Sequence, residues 1–176
     1  MKIPILPCEG NLDYHTDYAL YAYIAALSPV LPHQISTLKR HYAEKMGCTM
    51  RTVERHFNDL IKRGYCYKDN LGLHLVEVEG VRVEQEMVKY IFAFCEPKVL
   101  ECIFPILDYC INNQYITLIG IQTYLGYSNT YHHKSALYRK ALEALAHLNI
   151  IEYQEVRAPY PAIYITYIGD KYYGEH

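Results

Sequence analysis

The chain has 176 residues, a formal net charge of −2 at neutral pH and a hydrophobic fraction of 51%. This length accommodates one large domain or two small ones around a buried core, and the overall charge excludes a protein that coats nucleic acid through a large positive excess. No apolar run approaches the ~20 residues that cross a bilayer, and prolines interrupt the N-terminal segment. We therefore expect a cytoplasmic protein without a membrane segment or a signal peptide.

The sequence carries no recognisable catalytic or metal-binding motif. Its six cysteines include no C-x-x-C pair, which is typical of reduced thiols in an intracellular protein and argues against a zinc site. His132 and His133 are adjacent, and adjacent residues on a helix do not share a face, so they do not predict a metal site either. There is no phosphate-binding loop, nucleophile elbow or H-E-x-x-H pair. We expect no enzymatic activity, cofactor, metal or small-molecule substrate.

Two helices are predicted at the start of the chain. Aromatic and apolar residues recur at three- and four-residue steps over Asp13–Leu27, and two prolines then break the helix. Ser36 or Thr37 can cap a second helix, which Gly47 ends. The predicted inner stripe of this second helix consists of Leu38, Tyr42, Ala43 and Met46.

A third helix is predicted over residues 49–63. Thr49 is placed to cap its first turn, and Gly64 stops it. Its apolar stripe consists of Val53, Phe57, Leu60 and Ile61. At ~100° per residue, a polar set points away from that stripe, with Thr52 at its margin. This outer set comprises Arg51, Arg55, Asn58, Asp59 and Lys62.

Two strands should follow, Tyr65–Lys68 and Leu71–Val78, joined by turn-forming residues. The segment that leads into this hairpin, residues 36–68, concentrates positive charge, since it holds eight basic residues and three acidic ones. A basic patch on an acidic body is the footprint of a protein that binds a polyanion. A solvated helix face with mixed charges is the alternative.

Residues 41–66, HYAEKMGCTMRTVERHFNDLIKRGYC, resemble the winged helix-turn-helix of phage and plasmid replication proteins and related regulators. The resemblance rests on an aromatic-alanine pair, a glycine turn, a Thr cap, an Arg-Thr-Val triplet, and a leucine four residues before a glycine. These are Tyr42-Ala43, Gly47, Thr49, Arg51-Thr52-Val53, Leu60 and Gly64. The segment Tyr21–Ser28 also resembles the first helix of that group. The resemblance covers about residues 13–78 and implies a winged-helix DNA-binding domain over residues 1–78. Such a domain occurs both in replication initiators and in transcription regulators.

The next segment is predicted to connect two domains. Apolar spacing indicates an amphipathic helix within residues 79–96. Pro97 suits the first position of another helix, Lys98–Asn113, in which Pro105 should produce a kink or a break.

The remaining residues repeat the first pattern. Thr117–Ser128 corresponds to the second helix, with Gly126 in the place of Gly47, and Leu137–Ile151 corresponds to the third, with Asn149 in the place of Gly64. The repeat contains extra residues near Ser128–His133, and a second hairpin is expected over Ile150–Val156 and Ala162–Ile168. By internal repetition we therefore predict a mainly α fold with small β-hairpins, built from two tandem winged helix-turn-helix domains, the second spanning residues 97–176.

We expect the first domain to read double-stranded DNA with the outer face of its third helix. Arg can donate two hydrogen bonds to guanine, Asn can pair with adenine, and Lys or Thr can hold phosphates. Lys68 is expected near the wing tip, against the DNA backbone. The candidate DNA-binding residues are Thr49, Arg51, Thr52, Arg55, Asn58, Lys62, Lys68, Lys39 and Arg40.

The equivalent outer face in the second domain is small and apolar, which favours a protein contact over base reading. It comprises Ala136, Leu137, Lys140, Glu143 and Ala144, flanked by Met87, Ile91 and Phe94 of the connecting helix. We predict that this face binds a second copy of the chain. Ordinary surface roles are favoured over phosphate contacts for four nearby basic residues, which are His132, His133, Lys134 and Arg139. Arg157 is a candidate for the tip of the second wing.

The sequence thus favours a sequence-specific DNA-binding protein of a phage or plasmid, which acts in replication initiation or origin binding. A transcriptional regulator is one alternative. A tandem winged-helix scaffold for protein interactions, similar to accessory proteins of chromosome condensation, is another.

Overall fold

The computed structural model describes residues 1–7, 15–126, 134–157 and 161–168. Helices make up 58% of the structure and the strands form small antiparallel sheets, which confirms the predicted mainly α class. Within the described residues the helices are α1 His15–Leu27, α2 Ile35–Met46, α3 Met50–Lys62, α4 Gln85–Phe94, α5 Pro97–Asn112, α6 Leu118–Tyr124 and α7 Ser135–His147. None of these helices has both the length and the apolar character that crossing a bilayer requires.

The strands of the described residues are β1 Lys2–Pro4, β2 Cys66–Asp69, β3 Gly72–Leu75, β4 Arg82–Glu84, β5 Tyr115–Ile116, β6 Ile151–Val156 and β7 Ala162–Tyr167. They pair as β1 with β4, β2 with β3, and β5-β7-β6. The two long-range pairings, β1 with β4 and β5 with β7, were not predicted from the sequence. Strands this short carry too little alternation to be recognised before their partners are known.

Helix α2 begins earlier than predicted and ends where predicted. A short 3₁₀-helix, Pro32–Gln34, runs directly into it, so neither Ser36 nor Thr37 caps it. Gly47 ends it in the left-handed conformation, with φ of 61°. The predicted inner stripe of α2 is confirmed, because all four of its residues are buried.

Helix α3 forms as the sequence predicts. The Oγ1 atom of Thr49 accepts a hydrogen bond from the backbone N–H of Thr52 at 3.3 Å, which confirms the N-cap. The side chains of Val53, Phe57 and Leu60 are fully buried, while Ile61 is only partly buried.

The first hairpin joins β2 to β3 through Asn70 and Leu71. The Asp69 carboxylate accepts hydrogen bonds from the backbone N–H groups of Leu71, at 2.7 Å, and of Gly72, at 3.1 Å. Val30 pairs with Leu73 on the other side of β3, and the Leu73 N–H donates to the Val30 carbonyl at 2.9 Å. The hairpin is therefore fastened to the segment between α1 and α2.

In the first half of the chain, α1, α2 and α3 are followed by the hairpin β2–β3, and the second half repeats this order. Helix α5 is followed by β5, then α6, α7 and the hairpin β6–β7, and β5 pairs with β7 as Val30 pairs with Leu73. Gly126, with φ of 83°, and Asn149, with φ of 56°, adopt the left-handed conformation at the predicted helix ends. Helix α5 continues through Pro105, so the predicted break does not occur. The insertion predicted near Ser128–His133 lies outside the described residues.

The two halves share one hydrophobic core, because α1 packs against both α4 and α5. Met87 and Ile91 on α4 are fully buried in it. This corrects the expectation that they flank the outer face of the second half. The domain limits at residues 78 and 96 remain predictions.

Replacing Gly72 with Ala should destabilise the fold by at least about 2 kcal/mol. Gly72 has φ of 139°, and a Cβ atom there would collide with the Val30 carbonyl. Gly64→Ala is the matched control, because Gly64 has φ of 78° with no atom within 4 Å of an added Cβ, and it should cost about 1 kcal/mol. Chemical denaturation measures both values, and equal losses would contradict the clash.

Candidate nucleic-acid interface

The outer face of α3 presents a row of cations to solvent. The row consists of three cations, Arg51, Arg55 and Lys62, and the neutral Asn58, all of which are exposed. It extends over about 16 Å at 1.5 Å per residue. Within the described chain, the three basic side chains of this row form no hydrogen bond or ion pair. Their charges therefore remain available to a ligand.

The start of α3 adds two hydroxyl groups beside Arg51. The Oγ1 atoms of Thr49 and Thr52 lie 3.1 Å apart at the exposed N-terminus of the helix. Thr49 is committed to capping, while Thr52 is partly exposed at the edge of the row. Free N–H groups and hydroxyls at a helix N-terminus favour a negatively charged ligand.

Lys39, one of the predicted DNA-binding residues, is buried and does not belong to this exposed row. Its side chain is 8% exposed, and its Nζ atom lies 2.9 and 2.8 Å from the two carboxylate oxygens of Glu54. The same Nζ atom lies 4.0 Å from the ring centre of Phe57. The charge of Lys39 therefore ties α2 to α3, whereas Arg40 on α2 is exposed.

Lys68 is exposed but does not reach out from the wing tip. Its Nζ atom lies 5.7 Å from the ring centre of Phe57, so the side chain turns back toward α3. The tip itself consists of Asn70 and Leu71, next to Asp69, and the Leu71 side chain is 72% exposed. This tip offers a carboxylate and an apolar group where phosphate binding would need a cation.

A buried polar cluster beneath α3 was missed in the sequence. The Oδ1 atom of Asp17, on α1, lies 2.7 Å from Nδ1 of His56, and its Oδ2 atom lies 3.4 Å from the Arg63 guanidinium. Asp17 is 0% exposed. Burial raises the pKa of the Asp17 carboxyl, and the hydrogen bond from His56 partly offsets that effect. The sequence signal for this cluster was His56, which lies on the apolar side of the amphipathic helix α3.

The cluster has a composition that resembles a metal site, since one ligand atom each from Asp17, His56 and Asp59 lies within 4.8 Å of the others. Arg63 argues against a cation there, because its guanidinium is directed at the same carboxylate. A divalent ion would be repelled by that positive charge. The contacts instead describe a buried ion pair between α1 and α3.

The corresponding face of α7 is less apolar than its sequence indicates. Leu137 and Ala144 are partly buried against the core, while Ala136, Lys140 and Glu143 are exposed. The Nζ atom of Lys140 lies 3.2 Å from a carboxylate oxygen of Glu96. A groove of about 550 Å³ lies between α7 and the α4–α5 junction, and at its edge Phe94 is 70% exposed.

Among the other basic residues near α7, Arg139 forms an ion pair. Arg139 pairs with Glu155 on β6, and this contact raises the pKa of the Arg139 guanidinium. Lys134 is partly exposed and Arg157 is exposed. His132 and His133 lie outside the described residues.

Comparison with known protein families, with curated proteins and with solved structures finds no match for this chain.

Asp17→Ala should lower the free energy of unfolding by about 3 kcal/mol, because it leaves His56 and Arg63 without their buried partner. Glu77→Ala is the matched control, since Glu77 forms an ion pair with Arg82 at the exposed surface. Denaturant titration should show a far smaller change for the control. Equal changes would mean that the Asp17 contacts contribute no more than a surface ion pair.

Proposed function

We propose that this protein binds double-stranded DNA sequence-specifically, and that residues 1–78 and 97–176 are two tandem winged-helix domains. The observation that carries the proposal is the row of exposed cations on α3, which have no ion-pair partner among the described residues. The repeated order of three helices, a short strand and a hairpin supports the tandem arrangement.

In this proposal α3 enters the major groove. Arg51 and Arg55 lie one turn apart, and an Arg side chain can donate two parallel hydrogen bonds to the acceptor edge of guanine. Asn58 has the donor and acceptor that pair with adenine. Lys62 and Arg40 supply phosphate contacts, which orient the helix without carrying sequence information.

The resemblance of residues 41–66 favours a phage or plasmid protein that initiates replication or binds an origin. A transcriptional regulator would use the same face. Mapping of binding sites on the parent genome separates the two roles, because iterated repeats at an origin indicate replication and a palindrome over a promoter indicates transcription control.

A protein-interaction scaffold is the second candidate function, and the wing favours it. Its tip carries Leu71 and Asp69 and no cation, and the whole chain has a net charge of −2. A scaffold role would not explain the exposed cations on α3. Binding to random duplex DNA at low salt discriminates the two, since a scaffold should show none.

We further propose that the protein forms a homodimer through the outer face of α7. Exposed Phe94 lies at the edge of a groove beside this face, and an apolar side chain exposed to water gains by burial in a contact. A two-fold dimer would place two copies of α3 on one side of DNA, about one helical turn or ~34 Å apart.

Arg51→Ala or Arg55→Ala should each weaken binding to a selected duplex by roughly 1–3 kcal/mol, because each removes a bidentate base contact. Both residues are exposed, so the fold should be unaffected. Arg82→Ala, which removes an exposed arginine from β4, is the control and should leave affinity unchanged. Fluorescence anisotropy measures all three, and unchanged affinity in both α3 variants would contradict the proposed binding face.

The logarithm of the affinity should fall with the logarithm of salt concentration, with a slope of about −4, if roughly four or five cations contact phosphates. A Lys62→Ala variant should reduce the magnitude of the slope by about two, because the proposed dimer carries two copies of Lys62. Lys39→Met should leave it unchanged, because Lys39 is buried against Glu54. A slope near zero for the wild type would favour the scaffold.

Ala136→Asp or Leu137→Asp should weaken the dimer by placing a charge in the contact, and DNA affinity should fall with it because one half-site binds weakly. Ala136 is exposed, so its variant tests the contact without disturbing the core. Thr166→Asp, on the exposed side of β7, is the control. Sedimentation is the measurement, and a wild-type monomer with and without DNA would contradict the dimer.

A further inference from the structure

We propose that the buried Asp17–His56–Arg63 cluster is a positioning device that aims the α3 row at DNA bases. The inference rests on the proposed DNA-binding function and deepens it. His56 and Arg63 contact no DNA in this view; they act through the orientation of α3.

The apolar contacts of α3 hold the helix against the core without a fixed direction. Val53, Phe57 and Leu60 exclude water, but the hydrophobic effect has no direction, so it constrains the rotation of a helix only loosely. Base reading is directional, since a guanidinium must meet two acceptors in one plane. Directed contacts on the inner side of α3 are therefore needed to hold Arg51 and Arg55 in place.

The cluster supplies two such contacts from a single carboxylate. The two oxygens of Asp17 face His56, inside α3, and Arg63, directly after its end. These two residues are seven positions apart, or about 10 Å along a helix. Fixing both ends of this span to one point on α1 restricts both the rotation and the axial shift of α3.

Burial makes these contacts difficult to exchange for water. Asp17 is 0% exposed and His56 is 6% exposed. Moving the helix would leave an ionisable group unpaired in an apolar environment, which is strongly unfavourable. His56 also directly follows Arg55 in the chain, so a change at the inner contact is transmitted to the outer arginine through the backbone.

A purely structural role predicts different behaviour from a positioning role when both partners are replaced together. The double variant Asp17→Leu/His56→Leu removes the polar pair and fills the space with apolar groups, which is often neutral for stability. A structural role of the Asp17–His56 pair is then replaced, while Arg63, whose side chain is 14% exposed, loses the same carboxylate. A positioning role is not replaced, because the direction of the contact is lost.

The experiment measures binding of the intact protein to two probes: a short duplex selected from a randomised pool by the wild type, and a duplex of random sequence. We expect the folded double variant to lose at least about tenfold in the ratio of selected to random affinity. Its affinity for random duplex and its salt slope should stay at the wild-type values, because the cations remain exposed. An unchanged ratio in the folded double variant would overturn the positioning role.

A second pair of variants decides the question if the double variant does not fold. His56→Asn keeps a donor near the position of Nδ1, whereas His56→Gln moves its donor one bond farther out. We expect His56→Asn to retain the specificity ratio and His56→Gln to lower it at least about tenfold. Equal ratios would overturn the inference.

Failure of the underlying function would look different. If the wild-type protein selects no sequence and Arg55→Ala does not change its binding, the proposed function is overturned, and the positioning role with it. A wild type that selects a sequence through Arg55, while the cluster variants keep its ratio, overturns the positioning role alone.

Discussion

The contact between the Asp17 carboxylate and α3 is the constraint on which the exposed face depends. A carboxylate with no solvent access is costly to ionise, and its raised pKa reflects that cost. His56 and Arg63 offset it by lying against its two oxygens. Since opposite faces of a helix are rigidly related, fixing the inner side of α3 also fixes the direction of its outer cations.

The same order of elements carries two different surfaces. In the first half, α3 presents Arg and Lys side chains that have no ion-pair partner in the part of the chain that the structure describes. In the second half, α7 presents small residues and cations that have acidic partners, as Arg139 has Glu155. A base-reading face needs free donors, whereas a packing face needs little desolvation of charge. Repetition of a fold therefore does not imply repetition of its function.

Charge pairing divides the basic segment into structural and available cations. Lys39 and Arg63 contact carboxylates of Glu54 and Asp17, and these pairs join α3 to α2 and to α1. The remaining exposed cations, among them Arg55, meet no such partner in the described chain. The count of basic residues in a segment thus overstates the charge that a polyanion can reach.

The sequence by itself determined the mainly α class, the limits of α3 and the left-handed residues that end several helices. Helical periodicity, a Thr cap and residues such as Gly47 and Asn149 are local signals, because the backbone conformation they favour depends on near neighbours alone. It also indicated which residues of α3 point outward, since a helix has one geometry. Asp59 is the exception, because it is partly buried beside Asp17 and His56.

Only the tertiary structure decided which charges are free. The distance from Lys39 to Glu54, and from Asp17 to His56 and Arg63, depends on how separate helices pack. The pairing of β1 with β4 and the burial of Met87 and Ile91 on α4 likewise arise between segments far apart in the chain. No local pattern encodes such pairings, because each requires the position of a partner that the rest of the fold supplies.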